Sequence, residues 1–361
     1  MNKAEYHKII SKNPMTQKDV DKLMGILTNS FKIPKPEADF PQSLKWGDTP
    51  NITIDKAAHC FCTICDLSGE CENKPCTDLE QFIYLLNQLL TMKGKAIYQP
   101  VGKAAEYAQW ACNFYTGCSN DCTYCYCKRG VMAHTWSDTP KLKACFKNEE
   151  HALEVFEKEL KANLQELQKH GLFFTFTSDP LLPETRNLTY KAVSFCIKNY
   201  VPVKLLTKRA DWLEKVVWSP DCASFPINTH IDFGFTLTGH DELEPNASTN
   251  AERIEAMRKL HEAGFKTWAS IEPIIDVNDS LRMISKTARL KICDLYKIGL
   301  ESGKKYNKTL LNNFIKTTIY EINYYGNNAK IYFKDSLLSQ AGINREDLPV
   351  NCVTRDYNMF N

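Results

Sequence analysis

Apolar positions along the chain change their period near Trp110, and the change divides it into two kinds of sequence. Ahead of that point, Phe82, Leu85, Leu86, Leu89 and Leu90 recur at helical spacing behind a Thr77/Glu80 capping box and stop at Gly94. This pattern predicts one amphipathic helix that packs on a neighbouring module. A second helix is expected over 19–27, followed by an extended arm punctuated by Pro34, Pro36, Pro41 and Pro50. Beyond Trp110, short apolar runs alternate with helical stripes. Strands are expected at 113–116, 172–177, 203–207, 231–237, 266–271 and 295–299. Between them lie a helix capped by Asn148 with Leu153, Phe156, Leu160, Leu164 and Leu167 on one face and closed by Gly171, a helix over 188–199, and a short helix from Asp211. Two more are expected, one capped by Asn250 that carries Ile254, Met257 and Leu260, and one from Asp279.

Strands joined by helical crossovers imply a parallel sheet with helices on its outside. The expected fold class is therefore α/β, a partial (β/α)6 TIM-like barrel with parallel strands, an N-terminal Cys-rich module and a C-terminal cap. The boundaries read as an arm over 1–50, a Cys-rich helical module over 51–108, the barrel over 109–303 and the cap over 304–361, in which a helix near 310–320 and the run 331–333 close the open side of the barrel. In such barrels chemistry collects at the carboxyl ends of the strands.

Composition changes the picture in two respects. With 361 residues, 43% of them hydrophobic, the chain has the material for a sizeable core, and 45 Lys and Arg against 43 Asp and Glu leave a net +2 that gives no global attraction to nucleic acid or anionic membrane. Fifteen cysteines, an odd number, together with an N-terminal stretch that begins no apolar signal segment, point to reduced thiols and a cytoplasmic location. No apolar run approaches the ~20 residues of a membrane span.

Cysteine spacing then supplies the chemistry. Cys118, Cys122 and Cys125 lie in one short loop, Tyr115-Thr116-Gly117-Cys118-Ser119-Asn120-Asp121-Cys122-Thr123-Tyr124-Cys125-Tyr126-Cys127. Three thiolates on a four-iron cluster leave one iron without a protein ligand and open to a small molecule. A zinc knuckle, or an accidental cluster of thiols in a Cys-rich chain, is the competing reading. Upstream, Cys60, Cys62, Cys65, Cys71 and Cys76 are dense enough for a second site, for zinc or another iron-sulfur cluster, or else are structural or redox-active thiols; His59 reads as a packing or surface residue.

The loop resembles the signature of the radical SAM superfamily, and Tyr124 fits the aromatic residue that the family carries before its third cysteine. The resemblance implies a 4Fe-4S cluster on Cys118, Cys122 and Cys125 whose open iron binds S-adenosyl-L-methionine (SAM), and reductive cleavage to a 5'-deoxyadenosyl radical that takes hydrogen from a substrate. It also implies an electron donor such as flavodoxin or ferredoxin. Later segments, Phe176-Thr177-Ser178-Asp179-Pro180 with Pro183-Glu184, Leu206-Thr207-Lys208-Arg209, and Leu243-Glu244-Pro245-Asn246-Ala247 with Glu252-Arg253, resemble the spore photoproduct lyase-like branch. Ser270-Ile271-Glu272-Pro273 and Glu301-Ser302-Gly303 are similar to a phage-encoded radical SAM-like family.

By that resemblance Ser178 and Asp179 accept from the methionyl ammonium, Lys208 pairs with its carboxylate, Thr236 or Thr238 reaches the ribose or carboxylate end, and Glu272 the ribose or adenine. Each also has a plain structural reading, as a turn, a cap, a solvated charge or an ion pair. In the lyases a hydrogen-donating cysteine precedes the Ser-Asp pair by two residues, where this chain has Phe176; Cys127 is the nearest substitute thiol, with a plain loop thiol as its competing reading. Lys204, Lys208 and Arg209 on one side of the mouth and Lys304, Lys305 and Lys308 on the other are a possible basic rim, with Trp136 and Tyr306 as stacking aromatics for nucleic acid. The alternatives are radical modification of a peptide or protein and, outside enzymes, a zinc-stabilised nucleic-acid-binding protein.

Overall fold

The computed structural model describes residues 95–129, 133, 136–213, 230–326 and 328–360. The chain divides into two compact units, residues 1–95 with 143–146, and residues 96–142 with 147–361. Of the first unit, Lys95 and residues 143–146 are described, so the helices expected over 19–27 and 77–94 and the cysteines Cys60, Cys62, Cys65, Cys71 and Cys76 lie outside the described residues.

The second unit is a partial α/β barrel. Its strands are β1 (Ile97–Tyr98), β2 (Ala111–Cys112), β3 (Tyr115–Thr116), β4 (Lys141–Leu142), β5 (Leu172–Phe174), β6 (Val203–Thr207), β7 (Ile231–Thr236), β8 (Lys266–Ile274), β9 (Leu295–Leu300) and β10 (Lys330–Phe333). Eight of them form one sheet in the order β1-β2-β5-β6-β7-β8-β9-β10. The neighbours from β2 to β10 are parallel, and β1 runs antiparallel along the edge of β2. Helices α1 (Glu149–Ala162), α2 (Leu164–His170), α3 (Arg186–Lys198), α4 (Asn250–Glu262), α5 (Val277–Leu290), α6 (Lys308–Tyr324) and α7 (Asp335–Ala341) connect or follow these strands. β5, β7 and β9 are buried at every residue, the condition of strands covered on both faces, which is why they read as apolar runs rather than alternating ones.

Four expectations change in detail. The first barrel strand is Ala111–Cys112, and Tyr115–Thr116 instead pairs with Lys141–Leu142 in a separate hairpin. The run near 331–333 does not close the barrel from outside; it is β10, which extends the sheet by a seventh parallel strand beside β9. The stripe from Leu153 to Leu167 is split at Asn163 into α1 and α2. Asn250 is not the cap of α4, because Thr249 and Glu252 form a reciprocal capping box, and the Asn250 side chain binds Asp241 at 2.6 Å instead.

Two glycines make room inside the barrel. An added Cβ on Gly234 would lie 2.2 Å from the Trp268 ring, and one on Gly299 would lie 2.7 Å from both Glu272 and Lys334. Gly234→Ala is therefore expected to destabilise the fold by about 1–3 kcal/mol, because the added methyl would overlap the buried Trp268 ring and force it out of its packing against Tyr107 and Phe173. Urea denaturation of the two proteins side by side checks this; equal midpoints would mean that the indole does yield.

Candidate active site at the cysteine loop

The cysteine loop leaves the carboxyl side of β2 and is pinned on three sides. Gly117, at φ 88°, lets the backbone pass so close to 137–139 that a Cβ would sit 2.5 Å from the Ser137 carbonyl, and the Cys118 amide donates to that same carbonyl at 3.0 Å. Asp121, at φ 52°, reverses the chain between the first two cysteines, and Lys128 returns to its carboxylate at 2.5 Å. On the opposite flank the Thr123 amide donates to the Leu243 carbonyl at 2.9 Å.

The motif residues near 244–253 are the buttress behind this last contact. The Tyr124 hydroxyl donates to Glu244, which is ion-paired with Arg253, and both charged side chains are fully buried. Arg253 spends its remaining donors on the Ser248 carbonyl at 2.7 Å and the Thr236 carbonyl at 2.6 Å, so a single guanidinium ties α4 and β7 to the cysteine loop. Sequence reading quotes Glu244 and Arg253 as a motif without a role; their spacing alone does not say that they face each other.

Asp179 is a second pin. Its carboxylate accepts from the Thr207 hydroxyl (2.7 Å), the Leu181 amide (3.0 Å), the Lys208 amide (2.7 Å) and the Asn120 side chain (2.9 Å). With those four donors in place it is occupied in joining the ends of β5 and β6 to the cysteine loop, rather than free to receive an ammonium. Ser178 differs, for its buried Oγ has no partner, and neither has the buried Oδ1 of Asn120 in the cysteine loop. Two unmet acceptors in one polar corner are what a bound donor-rich ligand would satisfy.

Lys208 places its ammonium 5.6 Å from the centre of the Tyr124 ring. Burial opposes its charge, but the neighbouring Cys122 and Glu244 outweigh that and hold its pKa above the ordinary value. Cys118 and Cys122 are raised as well, in their case by burial, which favours the neutral thiols, and a bound metal would hold them as thiolates. Cys125 is lowered to about 6, first because the Cys127 thiol donates to its sulfur. Cys127 itself is buried, with Sγ 3.6 Å from the Phe176 carbonyl that the exposed Tyr126 hydroxyl also reaches. Among the described residues, no three His, Cys, Asp or Glu side chains converge as for a single metal ion.

Thr236 and Thr238 are buried at the end of β7, where the Thr238 hydroxyl accepts from the His240 amide at 3.2 Å. Glu272 accepts from Tyr107 at 2.7 Å and from Lys334 at 2.9 Å. Tyr107, which carries no periodic signal in the sequence, is the centre of the barrel. Its hydroxyl bonds Ser270 at 2.6 Å as well as Glu272, and its ring lies 5.1 Å from the Lys297 ammonium and 4.8 Å from that of Lys334. Burial, then the Glu272 charge, raises its pKa well above the ordinary phenol value.

The expected basic rim does not form on the β6 side. Lys204 donates inward to the His170 carbonyl, Lys208 faces Tyr124, and Arg209 is paired with Asp211 at 2.7 Å. Across the mouth, Lys304 pairs with Glu301 at 3.8 Å and lies 5.3 Å from the Tyr306 ring, Glu301 also meets Arg129 at 3.4 Å, and Trp136 stacks with Lys128.

Residues 112–290 match the family described as the Radical SAM superfamily. Over 230 residues, 60% of this chain and 79% of the relative, the chain is 24% identical to the uncharacterized protein MJ0683 of Methanocaldococcus jannaschii. Among solved structures it resembles spore photoproduct lyase complexed with dinucleoside spore photoproduct, with a TM-score of 0.50 and 16% identity over 66% of this chain and 80% of that one. SuiB of Streptococcus suis bound to its precursor peptide SuiA matches with a TM-score of 0.43 and 10% identity over 97% of this chain and 71% of that one. At these identities the likeness is one of fold.

Proposed function

We propose, for a chain that belongs to the radical SAM superfamily through residues 112–290, an enzyme that uses a 4Fe-4S cluster on Cys118, Cys122 and Cys125 and SAM to take hydrogen from a substrate at the mouth of the barrel. The observation that carries this reading is the pairing of three thiols in one pinned loop with two unpartnered buried acceptors, Ser178 Oγ and Asn120 Oδ1, beside them. When bound, cluster and SAM supply a 5'-deoxyadenosyl radical. The chain's own part is placement. Ser178 and Asn120 offer acceptors to the methionyl ammonium, Lys208 offers a cation to the carboxylate, and Asp179 and Arg253 hold these groups and the cysteines in register.

Reduction needs a one-electron donor such as flavodoxin or ferredoxin. A nucleic acid or nucleotide is the substrate class we favour over a peptide, on the motif resemblance; salt-dependent retention on DNA or RNA separates the two. Phe176 has no hydrogen to return, and Cys127, whose thiol lies against its carbonyl, is the proposed hydrogen donor. Cys60, Cys62, Cys65, Cys71 and Cys76 are proposed to hold zinc or a second cluster.

The test is oxygen-free purification with iron, sulfide and zinc measured for the wild type and for a Cys118→Ala, Cys122→Ala, Cys125→Ala variant, each then given SAM and dithionite. About four irons per chain should disappear in the variant. The formation of 5'-deoxyadenosine should disappear with them, while metal on the upstream cysteines stays. Zinc alone, with intact SAM in both proteins, would refute the enzyme.

A further inference from the structure

At the floor of the barrel, away from the cysteine loop, stand charged groups that this chemistry does not use. Lys204, Asp232 and Lys297 lie near the amino ends of β6, β7 and β9 and line one narrow recess, open part of the way to solvent and with enclosed room for about one water-sized ion, with Tyr107, Trp268 and Tyr357 as walls. Asp232 is 1% exposed and Lys297 8%. Each charged group makes one hydrogen bond, and always to a neutral partner: Lys204 to the His170 carbonyl at 2.9 Å, Lys297 to the Tyr107 carbonyl at 2.6 Å, and Asp232 from the Trp268 indole at 2.8 Å. No two of the three come within the 4.0 Å of an ion pair. Lys297 also stands over the Tyr107 and Trp268 rings, at 5.1 and 5.5 Å, but both ammonium groups keep N–H donors that no protein oxygen accepts, and Asp232 keeps a second oxygen.

We propose that this recess binds a small monovalent anion, of the size of chloride or formate, between the ammonium groups of Lys204 and Lys297. Two cations and one carboxylate leave a single positive charge to be matched, which favours a monoanion over phosphate or sulfate. Buried charge without a partner is costly, and the recess answers that cost by moving toward neutrality when empty: burial, with repulsion from Lys204, pulls Lys297 down to about 7, and burial lifts Asp232 to about 7. An anion at the lysines restores the charge of Lys297, and with both lysines charged Asp232 stays ionised beside them. The bound ion would join the amino ends of β6 and β9 under Tyr357 and Met359, which pack on the same core. The site is independent of SAM chemistry.

Thermal melts of the cluster-loaded full chain, at constant ionic strength with chloride or formate replacing gluconate, test it. A saturable rise of a few degrees is expected, which a general salt effect would not saturate. The half-effect concentration should increase about tenfold or more in Lys297→Met or Lys204→Met and fall in Asp232→Asn, where a like charge is removed. If neither lysine variant folds, crystals soaked in bromide give the direct answer, an anomalous peak between the two ammonium groups. An unsaturable response, identical midpoints in the variants that do fold, or a recess holding only water at high bromide would overturn the proposal.

Discussion

Arg253→Met is expected to cost about 3–5 kcal/mol and to leave the cysteine loop short of iron, although position 253 touches no cysteine. The change removes a guanidinium that is fully buried and deletes three bonds at once, those to Glu244, to the Ser248 carbonyl and to the Thr236 carbonyl. What remains is a buried carboxylate whose single partner is the Tyr124 hydroxyl, one residue from Cys125. An ion pair of this kind contributes little over a well-packed apolar pair, but half of one is strongly destabilising. Glu244→Gln combined with Arg253→Met should therefore recover part of the stability. Urea denaturation without oxygen measures the first effect and iron per chain the second. A loss under about 1 kcal/mol with full iron would show that the loop holds its shape unaided.

The second large effect depends on pH. In a buffer whose anion is too large for the floor recess, such as gluconate, the wild type should be least stable near pH 7 as far as Lys297 and Asp232 are concerned. Lys297 falls from an ordinary 10.5 to about 7 on folding. Below pH 7 it is charged in both states and the folded state carries the full cost of burying it; between 7 and 10.5 the folded protein releases the proton that the unfolded chain keeps, and stability rises with pH. Asp232 rises from 3.8 to about 7, so over that window the folded state holds a proton that the unfolded chain has lost, and stability falls as pH rises. At about 1.4 kcal/mol per pKa unit each group represents on the order of 4 kcal/mol. Lys297→Met should stabilise most at and below pH 7 and progressively less toward pH 10, and Asp232→Asn should help most at and above pH 7. Denaturation midpoints across that range, with the minimum near pH 7 lost in the double variant, are the check. A wild-type profile without the minimum would mean that the two charges find partners inside the fold.

The strands that frame the site were legible because burial on both faces writes continuous apolar runs, and the cysteine loop was legible because three ligands on one cluster force a short spacing. The first strand was not. Ala111–Cys112 is two residues long, and the Asn113 that follows it faces a local task, donating to Tyr98 at 2.7 Å and accepting the Phe176 amide at 2.8 Å. The basic rim failed for a reason that the sequence did contain. Residues 204, 206 and 208 alternate onto one face of a strand, so Lys204 and Lys208 both turn inward, one to the floor and one to the cysteine loop. Tyr107 and Lys334 were beyond reach, because a tyrosine in an irregular segment and a lysine after the last strand meet at Glu272 only through the closure of the sheet.

Tyr107 also fixes what kind of encounter the mouth allows. A ring wedged against Phe173, Phe176 and Trp268 and held at its hydroxyl by Ser270 and Glu272 is a plug inside the barrel with no hinge. If the proposed chemistry takes hydrogen in front of this plug, the substrate must offer it on a projecting group, much as a key is cut at its tip and not along its length, so the reach of that group should matter more to turnover than the bulk of the molecule behind it.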